Sequence, residues 1–262
     1  MNLDLKGKNA LVCGSTQGLG LATAIELAEL GANITLMARN EQALLEVTSL
    51  LPRSESQVHG YLVADFSDIN SVSKAISDFI SAGNVVHVLV NNTGGPAGGP
   101  MLEADIEQFS KTFSAHVLCN QLLIQAVVPG MKAAGFGRIV NIISTSVKVP
   151  IAGLGVSNTI RAAVANWAKT LATELAPFGI TVNNVLPGYH KTARLNAVLD
   201  SKASQLNISR EQMDQNSIKD IPMGRFGEVE EFGVAVAFLC SPAASYISGI
   251  NLPVDGGRLG CL

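Results

Sequence analysis

Cys13-Gly14-Ser15-Thr16-Gln17-Gly18-Leu19-Gly20 is the stretch that decides the fold of this chain. A β-rich apolar run over residues 9–13 leads into it, and a stretch of helical period over 19–30 leads out. Glycines between a strand and a helix let backbone N–H groups approach a pyrophosphate at the positive helix end. Gly14, Ser15, Thr16, Gln17, Gly18, Leu19 and Gly20 therefore form a candidate dinucleotide cradle. The order strand, glycines, helix carries this reading, because glycines alone also make ordinary tight turns.

Outward from the turn, short apolar runs at 33–38, 60–64, 85–90, 138–143, 181–186 and 250–254 alternate with helical stretches at 41–51, 69–82, 107–133, 155–177 and 228–239. With the first pair this gives seven strands in the βαβα rhythm of an α/β fold with a parallel sheet. No Pro-, Gly- or Ser-rich linker divides the chain and no repeat appears, so one domain is expected over 1–262. The one long irregular piece, 187–227, leaves the carboxyl end of a strand, where open α/β sheets bind ligands, and is expected to be a substrate lid.

The 262 residues are 47% hydrophobic and 15% charged, with 18 Lys+Arg against 21 Asp+Glu and a formal charge of -3. That composition is globular, and the scattered basic residues argue against nucleic acid or an anionic membrane as partner. No apolar run is expected to span a bilayer, and the opening residues MNLDLKGK lack the apolar core of a signal peptide, which makes the expected location cytoplasmic. Cys13, Cys119, Cys240 and Cys261 are far apart and show no metal-ligand spacing, so buried free thiols are expected and no metal.

The turn reads G-x-x-x-G-x-G, not the commoner G-x-G-x-x-G. With Asp65-Phe66 after the third strand, Asn91-Asn92-Thr93-Gly94 after the fourth, Asn141-Ile142-Ile143-Ser144 on the fifth and Pro187-Gly188 after the sixth, the chain resembles the short-chain dehydrogenase/reductase family, nearest its bacterial 3-oxoacyl-carrier-protein reductase-like members. Five motifs in order cover nearly the whole chain and imply a Rossmann-type doubly wound sheet of seven mainly parallel strands. Cys13 stands where the family usually has Thr, and Thr93 where it has Ala. The resemblance implies that Asp65, with Phe66, meets the adenine, that Asn92 and Gly94 line its ribose, and that Pro187, Gly188 and His190 lie against the nicotinamide. At the end of the second strand, Arg39 replaces the acid that would hold a ribose hydroxyl, and a guanidinium suits a 2′-phosphate, so NADP(H) is favoured over NAD(H).

The same resemblance implies a phenol, an ammonium, a serine and an asparagine in one proton path. Ser144 matches the serine. The expected Tyr-x-x-x-Lys reads Ser157-Asn158-Thr159-Ile160-Arg161, and the asparagine position holds His116. Arg161 can hold ribose hydroxyls but cannot relay a proton at ordinary pH, and Ser157 is far less acidic than a phenol. His116 is the leading candidate acid, with Tyr189, His190, Lys148 or water as alternatives. The expected activity is an NADP(H)-dependent carbonyl or 3-oxoacyl reductase acting on a small-molecule or acyl-chain substrate. A dinucleotide-binding protein without hydride transfer, or a non-redox enzyme on the same scaffold, stays open. Family practice and the apolar stretch at 155–177 imply a homotetramer.

Overall fold

The computed structural model describes residues 1–261. Strands β1 (Asn9–Cys13), β2 (Asn33–Ala38), β3 (Gly60–Val63), β4 (Val88–Asn91), β5 (Gly137–Ile142), β6 (Ile180–Pro187) and β7 (Asn251–Val254) form one sheet in the order 3-2-1-4-5-6-7. Every pairing is parallel. Parallel strands need crossover helices, which cover both faces, so residues alternate between two cores. Ala10 and Val12 of β1 face one core with Phe232 and Val236, while Leu11 faces the other with Leu123 and Ile139.

Helices α1 (Gly18–Glu29), α2 (Glu41–Leu50) and α9 (Val229–Cys240) contribute to the first core. Helices α3 (Ile69–Ser81), α5 (Cys119–Ala134) and α6 (Gly155–Leu175) contribute to the second. The single helix expected at 107–133 is instead α4 (Ile106–Phe113), a π-helical turn (Ser114–Leu118) and α5. π turns recur at functional sites because one extra residue per turn re-aims a side chain, here His116.

Four expectations are corrected. The stretch 187–227 is not irregular, since it contains α7 (Ala193–Leu206) and α8 (Arg210–Lys219), capped by the Thr192 and Ser209 hydroxyls. The helical segment Ile106–Ala134 holds an 18-residue window of mean hydropathy 1.2, enough by length and composition alone to cross a membrane, although Leu123, Val127 and Met131 are buried in the second core. Helix α6 is not apolar all round: Val156, Ile160, Val164 and Ala168 are buried, but Thr159, Asn166, Lys169 and Thr170 are exposed. Cys13, Cys119 and Cys240 are buried thiols, whereas Cys261 is exposed.

A row of asparagines crosses four strands of the sheet. Asn91, Asn141, Asn184 and Asn251 stand in register across β4, β5, β6 and β7. Each amide donates to the next, Asn91 to Asn141 at 2.8 Å, Asn141 to Asn184 at 2.9 Å and Asn184 to Asn251 at 2.8 Å. The row satisfies amide groups that would otherwise be buried at a cost. It ends at Asn91 Oδ1, which has no partner.

Candidate active site

The glycine turn is held by close backbone packing. Gly14 donates to the Met37 carbonyl at 2.8 Å, and the Ser15 hydroxyl accepts from Met37 N–H at 3.1 Å. Asn92 crosses from β4 to donate to the Gly14 carbonyl at 3.0 Å. A Cβ at Gly20 would lie 2.3 Å from that carbonyl, and Gly14 adopts φ +56°, so neither position admits a side chain. Helix α1 then begins with no side-chain cap on its N–H groups and no acid in its first turn, which leaves its positive end open to an anion.

Arg39 is exposed directly after β2. Across from it, Asp65 is held below the usual carboxylate range, first by the Ser67 N–H and hydroxyl and more weakly by the Arg39 charge. A cation and a fixed carboxylate thus lie near one another where the resemblance puts the adenine end. Two expected contacts are corrected. The Phe66 side chain is buried in the second core, which leaves its backbone for a ligand, and Asn92 Nδ2 is occupied with the glycine turn, which leaves its Oδ1 and backbone. His190 is likewise buried, edge-on to Phe232 at 5.3 Å. The bonds from Lys191 N–H to Gly227 and from Gly227 N–H to Tyr189 fix this strand-like segment, so the His190 N–H points to the opposite edge.

At the carboxyl ends of β4 and β5, His116 and Arg161 line one small cavity, while Ser144 follows β5 and Ser157 lies one turn before Arg161 on α6. Ser144 caps the turn at Thr145–Val147, its Oγ accepting from Ser146 N–H at 3.0 Å. Ser157 and Arg161 lie one turn apart on α6, on one face. Arg161 is only 9% exposed; its Nη1 donates to the Ile142 carbonyl at 2.7 Å and its Nη2 to Thr93 at 3.5 Å. Burial, and then the charge of Arg194, pull its pKa down to about 10, so it stays cationic at neutral pH. A cavity of about 10 Å³, the room of one water molecule, is lined by Asn91, Asn120, His116 and Arg161.

His116 is corrected as a proton donor in the neutral range. It is 4% exposed, and a carbonyl only accepts, so the contact of its Nε2 with the Gly94 oxygen at 3.1 Å places a proton on Nε2. Burial first, then the Arg161 charge, push its pKa down to about 2. The ring is neutral at pH 7 and donates to protein, not to substrate. Among the alternatives, Tyr189 packs edge-on to Phe226 at 6.2 Å under the Arg258 guanidinium, and Lys148 is exposed beyond the Ser144 turn. Sequence reasoning missed Asn120, 6% exposed and one turn after His116, and Asn91 as a cavity wall. The i, i+4 spacing of His116 and Asn120 was the available signal.

Comparison with known proteins matches residues 14–258 to the family model described as enoyl-(acyl carrier protein) reductase. The chain is 37% identical to a tropinone reductase homolog of Arabidopsis thaliana, At2g29260, over 97% of its own length and 76% of the relative's. It is 31% identical to the NADPH-dependent reductase BacG of Bacillus subtilis, over 96% and 98% of the two chains. Its structure superposes on that of L-sorbose reductase from Gluconobacter frateurii complexed with NADPH and L-sorbose, with TM-score 0.93, 30% identity and full coverage of both chains.

Proposed function

This chain belongs to the short-chain dehydrogenase/reductase family of oxidoreductases, and from that premise we propose that it is an NADP(H)-dependent reductase of a carbonyl group on a small or acyl-chain substrate. The observation that carries the cofactor choice is Arg39, exposed at the end of β2 beside Asp65, with the uncapped start of α1 next to it. The residues present fit the group: the start of α1, with no side-chain cap and no acid in its first turn, leaves N–H groups for a pyrophosphate, and Arg39 offers paired donors to a 2′-phosphate. Arg161 orients the nicotinamide ribose through N–H groups beyond the two given to Ile142 and Thr93.

NADPH, when bound, supplies the hydride, so that carbonyl, NADPH and one proton give alcohol and NADP⁺. Ser144 already accepts a hydrogen bond at Oγ, which leaves its O–H free to donate to the substrate oxygen and to stabilise the charge that develops there. The proton comes from water, because His116 holds no charge to give up at neutral pH. That last point also favours a second reading, a dinucleotide-binding protein with little or no turnover.

The test is calorimetry with NADPH and NADH beside an NADPH-oxidation assay over a panel of carbonyls. NADPH should bind about tenfold to a hundredfold more tightly, the worth of one charge-assisted pair, and Arg39→Asp should reverse the order. Equal affinities untouched by that substitution would remove the cofactor reading. Tight NADPH binding with no oxidation on any carbonyl would select the second reading.

A further inference from the structure

Two guanidinium groups meet over one glycine at the mouth of the cleft. Arg161 reaches from α6 and Arg194 from α7, and the Nη2 atoms lie 3.7 and 3.6 Å from the point where a Cβ of Gly95 would stand. Each is tethered to a carbonyl of the same loop, Arg161 to Thr93 and Arg194 to Pro96 at 2.7 Å. Neither is in an ion pair among the described residues, although Arg210 and Arg225 nearby in sequence are paired with Asp200, Asp214 and Glu231. The charge that bears on Arg161 is the like charge of Arg194. Like charges brought this close repel, and an anion between them turns that repulsion into attraction. Gly95 leaves the space between them empty of side chain.

We propose that Arg161 and Arg194 form a fork for an anionic group of the substrate, a carboxylate or phosphate attached near the reacting carbonyl. Planar guanidiniums from two elements can each give parallel N–H bonds to such a group. The position suits it, since Arg161 shares the face of α6 with Ser157 and lines the same cavity as His116. Arg194 is the second residue of α7 and already bonds the Pro96 carbonyl, so a bound anion would hold α7 against the 93–96 loop.

This inference rests on the cleft being the substrate site of a reductase, so its test avoids turnover. Acetoacetate and methyl acetoacetate are titrated into protein saturated with NADP⁺, which cannot reduce them, and compared for wild type, Arg194→Gln and Arg194→Lys. Arg194 is exposed, so these variants do not disturb a core. The acid should bind at least tenfold more tightly than the ester, Arg194→Gln should remove that preference with NADP⁺ affinity kept, and Arg194→Lys should restore part of it. Equal binding of acid and ester by the wild type would overturn the proposal. A fall in NADP⁺ affinity in Arg194→Gln, with acid and ester changed alike, would assign the fork to the cofactor phosphates and overturn it as well. Should NADP⁺ not bind the wild type, the reductase reading fails separately, and the same titrations on the free protein still decide whether the fork prefers the acid.

Discussion

Arg138 and Arg161 lie near opposite ends of β5, both buried and both without a carboxylate among the described residues, yet their surroundings differ. At the amino end, Arg138 donates to the carbonyls of Ser241, Gly137 and Gly179 and lies 4.3 Å from the Phe136 ring centroid. That cation is consumed by the fold, tying β5 to the turns before β6 and after α9. At the carboxyl end, Arg161 gives two bonds to carbonyls, faces a water-sized cavity and is joined by a second cation. A buried unpaired cation thus marks a site only where it opens on a cleft with donors left over.

The sharpest test of that contrast compares removal of each arginine. Arg138→Ala leaves three carbonyls without their donor and Phe136 without its cation, and should cost about 3–5 kcal/mol in urea denaturation. Arg161→Ala relieves repulsion with Arg194 and should cost less than about 1.5 kcal/mol, while weakening NADPH binding about tenfold or more. Equal stability losses with NADPH affinity unchanged in Arg161→Ala would make both arginines structural.

Next in size is the attempt to rebuild a phenol at the carboxyl end. Ser157→Tyr with Arg161→Lys places a phenol and an ammonium one turn apart on α6, which lowers the phenol pKa. NADPH-dependent carbonyl reduction should rise about 10²-fold, the usual worth of a positioned general acid. Wild-type turnover already as fast as the double variant would mean that the serine hydroxyls suffice.

The amino half of the fold was legible because its signals are local. Gly14 to Gly20 is dictated by backbone approach, and the alternation of Ala10, Leu11 and Val12 between two cores is the period of a strand. The carboxyl-end site was legible only as a set of positions, of which His116 and Arg161 line one cavity in the structure. What His116 can do there was not legible, since its neutrality comes from tertiary burial and from a cation 45 positions away in the chain. Helices α7 and α8 were missed because their exposed faces are polar and hydrophobic period is weak. Their caps, Thr192 and Ser209, were the readable signal, each bonding the N–H three residues on.

His116 carries a pH signature that separates a structural histidine from a catalytic one. Its folded pKa of about 2 lies below the ordinary value of about 6.5, so below pH 6.5 the unfolded chain binds a proton that the folded chain refuses. Its contribution is complete above pH 6.5 and is lost progressively as the pH falls toward 2. Between pH 6.5 and pH 5 the loss should be about 2 kcal/mol, and His116→Gln should flatten that slope in urea denaturation. Turnover, where present, should show no ionisation of His116 between pH 6 and 8. A rate that tracks a pKa near 6.5 and loses that dependence in His116→Gln would restore the histidine as the acid.

The smallest effect sharpens the boundary between the two ends of β5. The asparagine row runs from the half-buried Asn251 on edge strand β7 to Asn91 at the cavity, each amide using its neighbour's oxygen. Asn251→Ala removes one acceptor and leaves Asn184 Nδ2 short of a partner at a strand edge where water can reach residue 251. The expected cost is about 1 kcal/mol, the net worth of a single neutral hydrogen bond. The rest of the row keeps its register through the backbone pairing of β4, β5 and β6, so Asn91 Oδ1 should stay aimed at the cavity and NADPH affinity should hold within a factor of two. A tenfold fall in that affinity, at the same small stability cost, would mean that the row transmits polarity from the sheet edge to Arg161 and His116, and that the carboxyl-end site begins at β7.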